Sequence, residues 1–102
     1  MARLKDDRKR AEQCVEILKA VAHPLRLRIV AVLCDGDQHV NGLCEQLAAP
    51  QSVVSQQLRI LRMRQLVSAT RRAGFAWYSL AEPRLVDLVC CVEGCGLKEE
   101  VA

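Results

Sequence analysis

Residues 51–64 place Val54, Leu58 and Leu61 at i, i+4 and i+7, one apolar spine on an otherwise polar segment, directly before two short β-type runs. That succession constrains the fold more than any other feature of the chain. A 3.6-residue period demands an amphipathic helix. Ser52, Ser55, Gln56 and Arg59 then gather on the side opposite the spine. Val53, Ile60 and Met63 fall on its flank and are expected to pack as well. The runs Leu66–Arg72 and Phe75–Leu80 flank Ala73-Gly74, which predicts a hairpin with a glycine-bearing tip.

The remaining punctuation divides the chain as cleanly. Cys14, Ile17, Leu18 and Val21 follow helical spacing within residues 8–22, a first helix. Pro24 suits the first turn of a second helix carrying Leu25, Ile29, Val32 and Leu33, and Asp35-Gly36-Asp37 ends it. Gln38-His39-Val40 reads as a short extended piece. Asn41 is the expected cap of a third helix holding Leu43, Cys44 and Leu47, with Ala48-Ala49-Pro50 as the turn that follows. Pro83 opens a last helix with Leu85, Leu88, Val89 and Val92 as its apolar face, and Gly94 and Gly96 should fray its end. The order ααβααββα is that of a winged helix-turn-helix flanked by two further helices. At 102 residues it is expected to form one domain over 1–102.

Bulk composition excludes several classes. An apolar fraction of 51% with 26% charged residues fits a folded globule rather than a disordered chain. No apolar run approaches the roughly 20 residues of a membrane-spanning helix. The charged stretch Arg3–Arg10 lacks the apolar core of a signal peptide. A cytoplasmic protein without membrane partners is expected, its six cysteines free thiols or ligands rather than a disulfide frame. A net charge of +3 is mild, but its distribution is not. Residues 51–72 hold Arg59, Arg62, Arg64, Arg71 and Arg72 and no acid, whereas Glu82, Asp87, Glu93, Glu99 and Glu100 lie in 82–100. The first stretch suits phosphate; the second would be repelled by it. With no Cys-x-x-Cys, no Gly-rich phosphate loop and no catalytic Cys/His/Asp set, an enzyme is not expected.

In Leu18–Ile29 (Leu-Lys-Ala-Val-Ala-His-Pro-Leu-Arg-Leu-Arg-Ile), in Ser52-Val53-Val54-Ser55-Gln56-Gln57-Leu58 with Leu61, in Leu66-Val67 and in Tyr78-Ser79-Leu80, the chain resembles the ArsR/SmtB family. The resemblance spans about residues 14–92. It implies a homodimeric repressor, joined through its first and last helices, that sits on operator double-stranded DNA and leaves when an inducer binds. Two departures stand out: Gln65 where a glycine usually closes the recognition helix, and Gln57 where a His is common. On that reading Ser52, Ser55, Gln56 and Arg59, with Gln51 at their N-terminal edge, enter the major groove, where Gln suits adenine and Arg suits guanine. Arg71 and Arg72 at the hairpin tip suit the minor groove or backbone and supply salt-dependent affinity.

The cysteines suggest how such a grip could be released. Cys90, Cys91 and Cys95 place three thiols within six residues, and three thiolates suit As(III), Sb(III) or Pb(II); a fourth ligand would suit Cd(II) or Zn(II). Some arsenic-responsive members of the resembled family carry inducer cysteines on this last helix. The leading expectation is therefore a metalloid-responsive repressor with Cys90, Cys91 and Cys95 as ligands. The alternative is a thiol redox or persulfide sensor of the same fold, pairing Cys34 with Cys91 or Cys95. Sensors of that kind in the family pair a second-helix cysteine with one on the last helix, although the usual second-helix position here is Ala31. Cys14 is expected to pack in the core, a pairing with Cys44 across the dimer being the other reading. Cys44 sits where arsenic-binding members place the last of their third-helix ligands, but the two preceding positions are His39 and Asn41. The zinc-type site of other members needs Asp and His where this chain has Glu82 and Arg84. His23 is read as structural and His39 as surface.

Overall fold

The computed structural model describes residues 3–94. After a single 3-10 turn at Leu4–Asp6 come helices α1 (Arg8–Val21) and α2 (Pro24–Cys34), then strand β1 (Gln38–His39). Helices α3 (Val40–Leu47) and α4 (Gln51–Met63) follow, then strands β2 (Val67–Arg72) and β3 (Phe75–Leu80) and helix α5 (Arg84–Gly94). The expected order ααβααββα is the observed one.

Each boundary has a local cause. Asp7 caps α1 by accepting from the Arg10 backbone N–H at 2.9 Å. His23 caps α2, its Nδ1 accepting from the backbone N–H of Leu25 at 3.1 Å and of Arg26 at 3.4 Å, with Pro24 at the first helical position. The third helix starts earlier than its sequence suggests. His39, not Asn41, is its cap, with Nδ1 accepting from the Gly42 N–H at 2.9 Å. The backbone runs from β1 into α3 without a turn, so the last strand residue, still extended, is the one in reach of the free helical N–H groups.

At the end of α4, Gln65 N–H donates to the Arg62 carbonyl at 2.9 Å and Leu66 N–H to the Leu61 carbonyl at 3.0 Å. This is the Schellman pattern, whose central residue must be left-handed; Gln65 has φ +63°. A glutamine therefore occupies a position where a side chain costs about 1–2 kcal/mol. Gln65→Gly is expected to stabilise the fold by about 1 kcal/mol, raising Tm by several degrees in a thermal melt. An unchanged or lower Tm would contradict the strain.

The three strands form an antiparallel sheet in the order β1-β3-β2. The hairpin pairs Val67 with Leu80 through Arg72 with Phe75, and β1 adds Gln38 opposite Tyr78 and His39 opposite Trp77. The core joins Ile29 and Val30 of α2, Leu43 of α3, Leu85 of α5 and the α4 spine Val54, Leu58 and Leu61, all essentially inaccessible. Met63 and Val53 depart from expectation, Met63 being 75% exposed. Met63 lies about 200° around the helix from Leu61 and so faces away from the core. Val92 also stays partly exposed, whereas Val89 and Leu85, one and two turns earlier, are buried.

Candidate DNA interface and thiol site

The α4 spine fixes which side of the helix remains outside. Gln51, Ser52, Ser55, Gln56 and Arg59 are all exposed. Gln57 is half-buried, and its Oε1 is shielded from solvent with no hydrogen-bond partner among the described residues. The polar face of α4 is thus a set of short and medium donors and acceptors on a rigid rod, carried on the buried spine and presented beside α3.

The two hairpin arginines differ. Arg71 Nη1 donates to the Gly74 carbonyl at 3.5 Å and stays at the tip. Arg72 turns back: its Nη2 meets Asp37 Oδ2 at 2.6 Å, and its guanidinium lies 4.8 Å from the centre of the Trp77 ring. Trp77 in turn receives His39 edge-on at 4.7 Å. His39, expected at the surface, is half-buried and does two jobs, capping α3 and bracing the sheet. Asp37, His39, Arg72 and Trp77 form a brace that ties the hairpin to the start of the helix-turn-helix. Sequence reasoning missed it because it depends on the β1–β3 register, which places His39 opposite Trp77. The only available signal was the confinement of Phe75, Trp77 and Tyr78 to one stretch.

The thiols lie elsewhere, around α2 and α5. Cys90 and Cys91 are exposed on α5, while Cys14, Cys34 and Cys44 are half-buried. Cys95 lies outside the described residues. Among the described residues no three His, Cys, Asp or Glu side chains gather to hold a metal ion. Cys34 is the perturbed thiol. Burial pushes its pKa up most, and the negative charge available to Cys90, Asp35 and Glu93 adds to this. Two of those neighbours, Cys90 and Glu93, belong to α5, so the end of α2 faces the second half of α5. The last-helix thiol that reaches Cys34 in this way is Cys90, next to the Cys91 of the sequence pairing. Cys34 is held as a neutral thiol at neutral pH.

At the start of α5, Glu82 Oε2 accepts from the Arg84 backbone N–H at 3.0 Å and its Nε at 2.9 Å, while Oε1 accepts from Nη2 at 2.9 Å. The Arg84 side-chain bonds, and then its backbone bond, hold the Glu82 carboxyl down at about 2. Its stabilising effect is therefore present above the ordinary carboxylate range and is lost only as pH falls toward 2. Between α1 and α5, Cys14, Ile17, Leu18, Arg84 and Leu88 line an apolar groove, with Leu18 50% exposed. Among the described residues no helix is long and apolar enough to cross a membrane.

Comparison with known proteins agrees with this geometry. Residues 23–69 match the family model described as bacterial regulatory protein, arsR family. The biofilm growth-associated repressor of Xylella fastidiosa strain Temecula1 is 36% identical over 84 residues, covering 82% of this chain and 74% of that protein. The structure of reduced HlyU from Vibrio cholerae superimposes with a TM-score of 0.78 at 30% identity, covering 86% of this chain and 95% of that one. A homodimeric winged helix-turn-helix DNA-binding domain from Mycobacterium bovis gives a TM-score of 0.72 at 28% identity, covering 86% and 83%.

Proposed function

Because this chain belongs to the arsR family of bacterial regulatory proteins and is a DNA-binding transcriptional repressor, we propose that it holds operator double-stranded DNA as a homodimer and releases it when Cys34 and Cys90 are oxidised to a disulfide. The observation that carries this reading is the packing of α2 against α5, which brings Cys90 near enough to Cys34 to add to the rise of its thiol pKa. Cys90 is exposed and can meet an oxidant, whereas Cys34 is protected and neutral, a resolving thiol rather than the attacking one. The Cys90 thiolate takes the terminal hydroxyl of a peroxide, giving a sulfenic acid and releasing the other oxygen as water or alcohol. Cys34 then displaces the sulfenic hydroxyl, which leaves with the Cys34 proton as water.

A disulfide draws its two Cα atoms to about 5–6 Å. It would tighten α5 against α2 and move the groove shared by α1 and α5. That groove is the apolar face on which a second copy would dock, so oxidation changes the spacing of the two α4 helices. The oxidised form must favour the DNA-free spacing, and each tenfold loss of affinity corresponds to about 1.4 kcal/mol of coupling. One similar structure is of HlyU in its reduced form, which accords with a redox-active thiol on this fold.

A second reading rests on the adjacent exposed thiols Cys90 and Cys91. With Cys95 they supply three soft ligands for As(III), Sb(III), Pb(II) or Cd(II). One experiment separates the two: operator DNA taken from upstream of the gene is followed by fluorescence anisotropy while the reduced protein is titrated with peroxide or with As(III). The redox reading expects release by peroxide, reversal by dithiothreitol, and loss of the response in Cys34→Ser and in Cys90→Ser. Release by stoichiometric As(III), lost in Cys91→Ser and intact in Cys34→Ser, would replace it with the metalloid reading.

A further inference from the structure

We propose that the cleft between α2 and α5 selects the oxidant, admitting a small apolar organic hydroperoxide to the Cys34–Cys90 pair in preference to hydrogen peroxide. The inference rests on the redox reading above and adds the class of inducer. The cleft has a volume of about 200 Å³ and is lined by Leu27, Arg28 and Ala31 of α2 and Val89, Val92 and Glu93 of α5. Its walls are largely hydrocarbon. Even Arg28 contributes its stem, because its guanidinium donates to the Leu47 carbonyl at 3.3 Å.

Neither thiol lines the cleft itself, but helical spacing sets each beside residues that do. Leu27, Ala31 and Cys34 follow one another at i, i+4 and i+7 on one face of α2. On α5, Cys90 directly follows the lining residue Val89 and precedes Glu93 by three positions. Glu93 lines the cleft and its charge is felt at Cys34, so the cleft lies on the side of α2 that faces α5 near that thiol. Ala31 is the smallest lining side chain and leaves the space open.

Such walls, hydrocarbon apart from the Glu93 carboxylate, offer hydrogen peroxide few hydrogen bonds in place of those it makes to water. An alkyl or aryl hydroperoxide buries carbon there, at about fourfold in affinity per methylene-sized group. The reaction balances as two thiols and one hydroperoxide giving one disulfide, one alcohol and one water. The O–O bond breaks as Cys90 takes the terminal hydroxyl, the alkoxide leaves with a proton as the alcohol, and Cys34 closes the S–S bond with loss of water.

The test measures second-order rate constants for Cys34–Cys90 disulfide formation in the reduced full-length protein with cumene hydroperoxide and with hydrogen peroxide, by quench and peptide mass mapping. Each rate is divided by that of free cysteine with the same oxidant. The expected normalised ratio is at least tenfold in favour of cumene hydroperoxide. Ala31→Leu, which fills the cleft, should abolish the preference and keep the hydrogen peroxide rate. Val92→Asp charges the mouth at a partly exposed position and should do the same if Ala31→Leu disturbs the circular dichroism spectrum. A normalised ratio near one in the wild type, or a preference that survives both variants, overturns the inference. If hydrogen peroxide forms the disulfide without any cumene preference, selection fails and the redox reading stands. If neither oxidant forms it, the redox reading itself falls.

Discussion

Replacing Arg59 by alanine is expected to weaken operator binding by about two to three orders of magnitude while leaving the fold intact. Arg59 stands on the exposed face of α4, opposite the buried spine of Val54, Leu58 and Leu61, so its truncation opens no cavity. In the proposed complex its guanidinium would make a bidentate contact to a guanine edge, worth about 1–3 kcal/mol per site, and a homodimer would present two. The loss should concentrate at one base position per half-site, so operators altered there would bind wild type and variant alike. Gln56→Ala should relax a different position. Anisotropy titrations against an operator panel at fixed salt decide the matter. A uniform loss across all operator variants would assign Arg59 to the backbone instead of the bases.

Arg71 and Arg72 should then separate from each other. Arg71→Ala is expected to lower the slope of log affinity against log salt by about one contact per arm, uniformly over sequences. Arg72 is engaged by Asp37 and Trp77, so its replacement acts first on how the hairpin is held. That ion pair is half-exposed and contributes little to global stability. Its consequence is orientation: the brace ties the hairpin to β1 and the start of α3.

The architecture was legible in the sequence wherever a short-range rule governed it. The α4 spine, the Pro24 start and the Ala73-Gly74 tip each follow from spacing within one element, and each appears where expected, whereas of the α1 row Val21 is buried and Cys14 and Leu18 line an open groove. The failures share a cause. Asn41 has the better cap propensity, yet His39 caps α3, because where a helix begins depends on where the preceding strand stops pairing. The place of His39 follows from the register with Trp77, and the turning back of Arg72 from the nearness of Asp37 across 35 residues. Gln65 was visible as a departure, but only its φ of +63° tells that the left-handed closure is kept at a cost rather than abandoned. The thiols show the same limit. Three cysteines in six residues draw the eye to Cys90, Cys91 and Cys95, whereas the influence of Cys90 on Cys34 spans 56 positions and arises from the packing of α2 on α5.

Leu18→Glu is expected to have the largest effect of all, converting the protein to a folded monomer that no longer holds its operator at working concentrations. Leu18 is 50% exposed beside a groove whose other walls are Cys14, Ile17, Leu88 and Arg84, and Val15, 45% exposed, lies three positions before it on α1. On the proposed homodimer reading, this apolar face of α1 and α5 is the surface a second copy covers. A dimer would bury two introduced carboxylates close together, a penalty of several kcal/mol that no rim contact offsets. The monomer itself loses little, because residue 18 remains in water there. The consequence for DNA is larger than the consequence for association. Two linked α4 helices engage the second half-site at an effective concentration in the millimolar range, and a lone helix forfeits that gain. A fall of about a thousandfold in operator affinity should accompany the change in sedimentation, with an unchanged circular dichroism spectrum. Leu18→Met should restore both the dimer and the binding. A Leu18→Glu protein that sediments as a dimer and still binds would place the interface on another face, and with it the route from the α2–α5 thiols to the DNA.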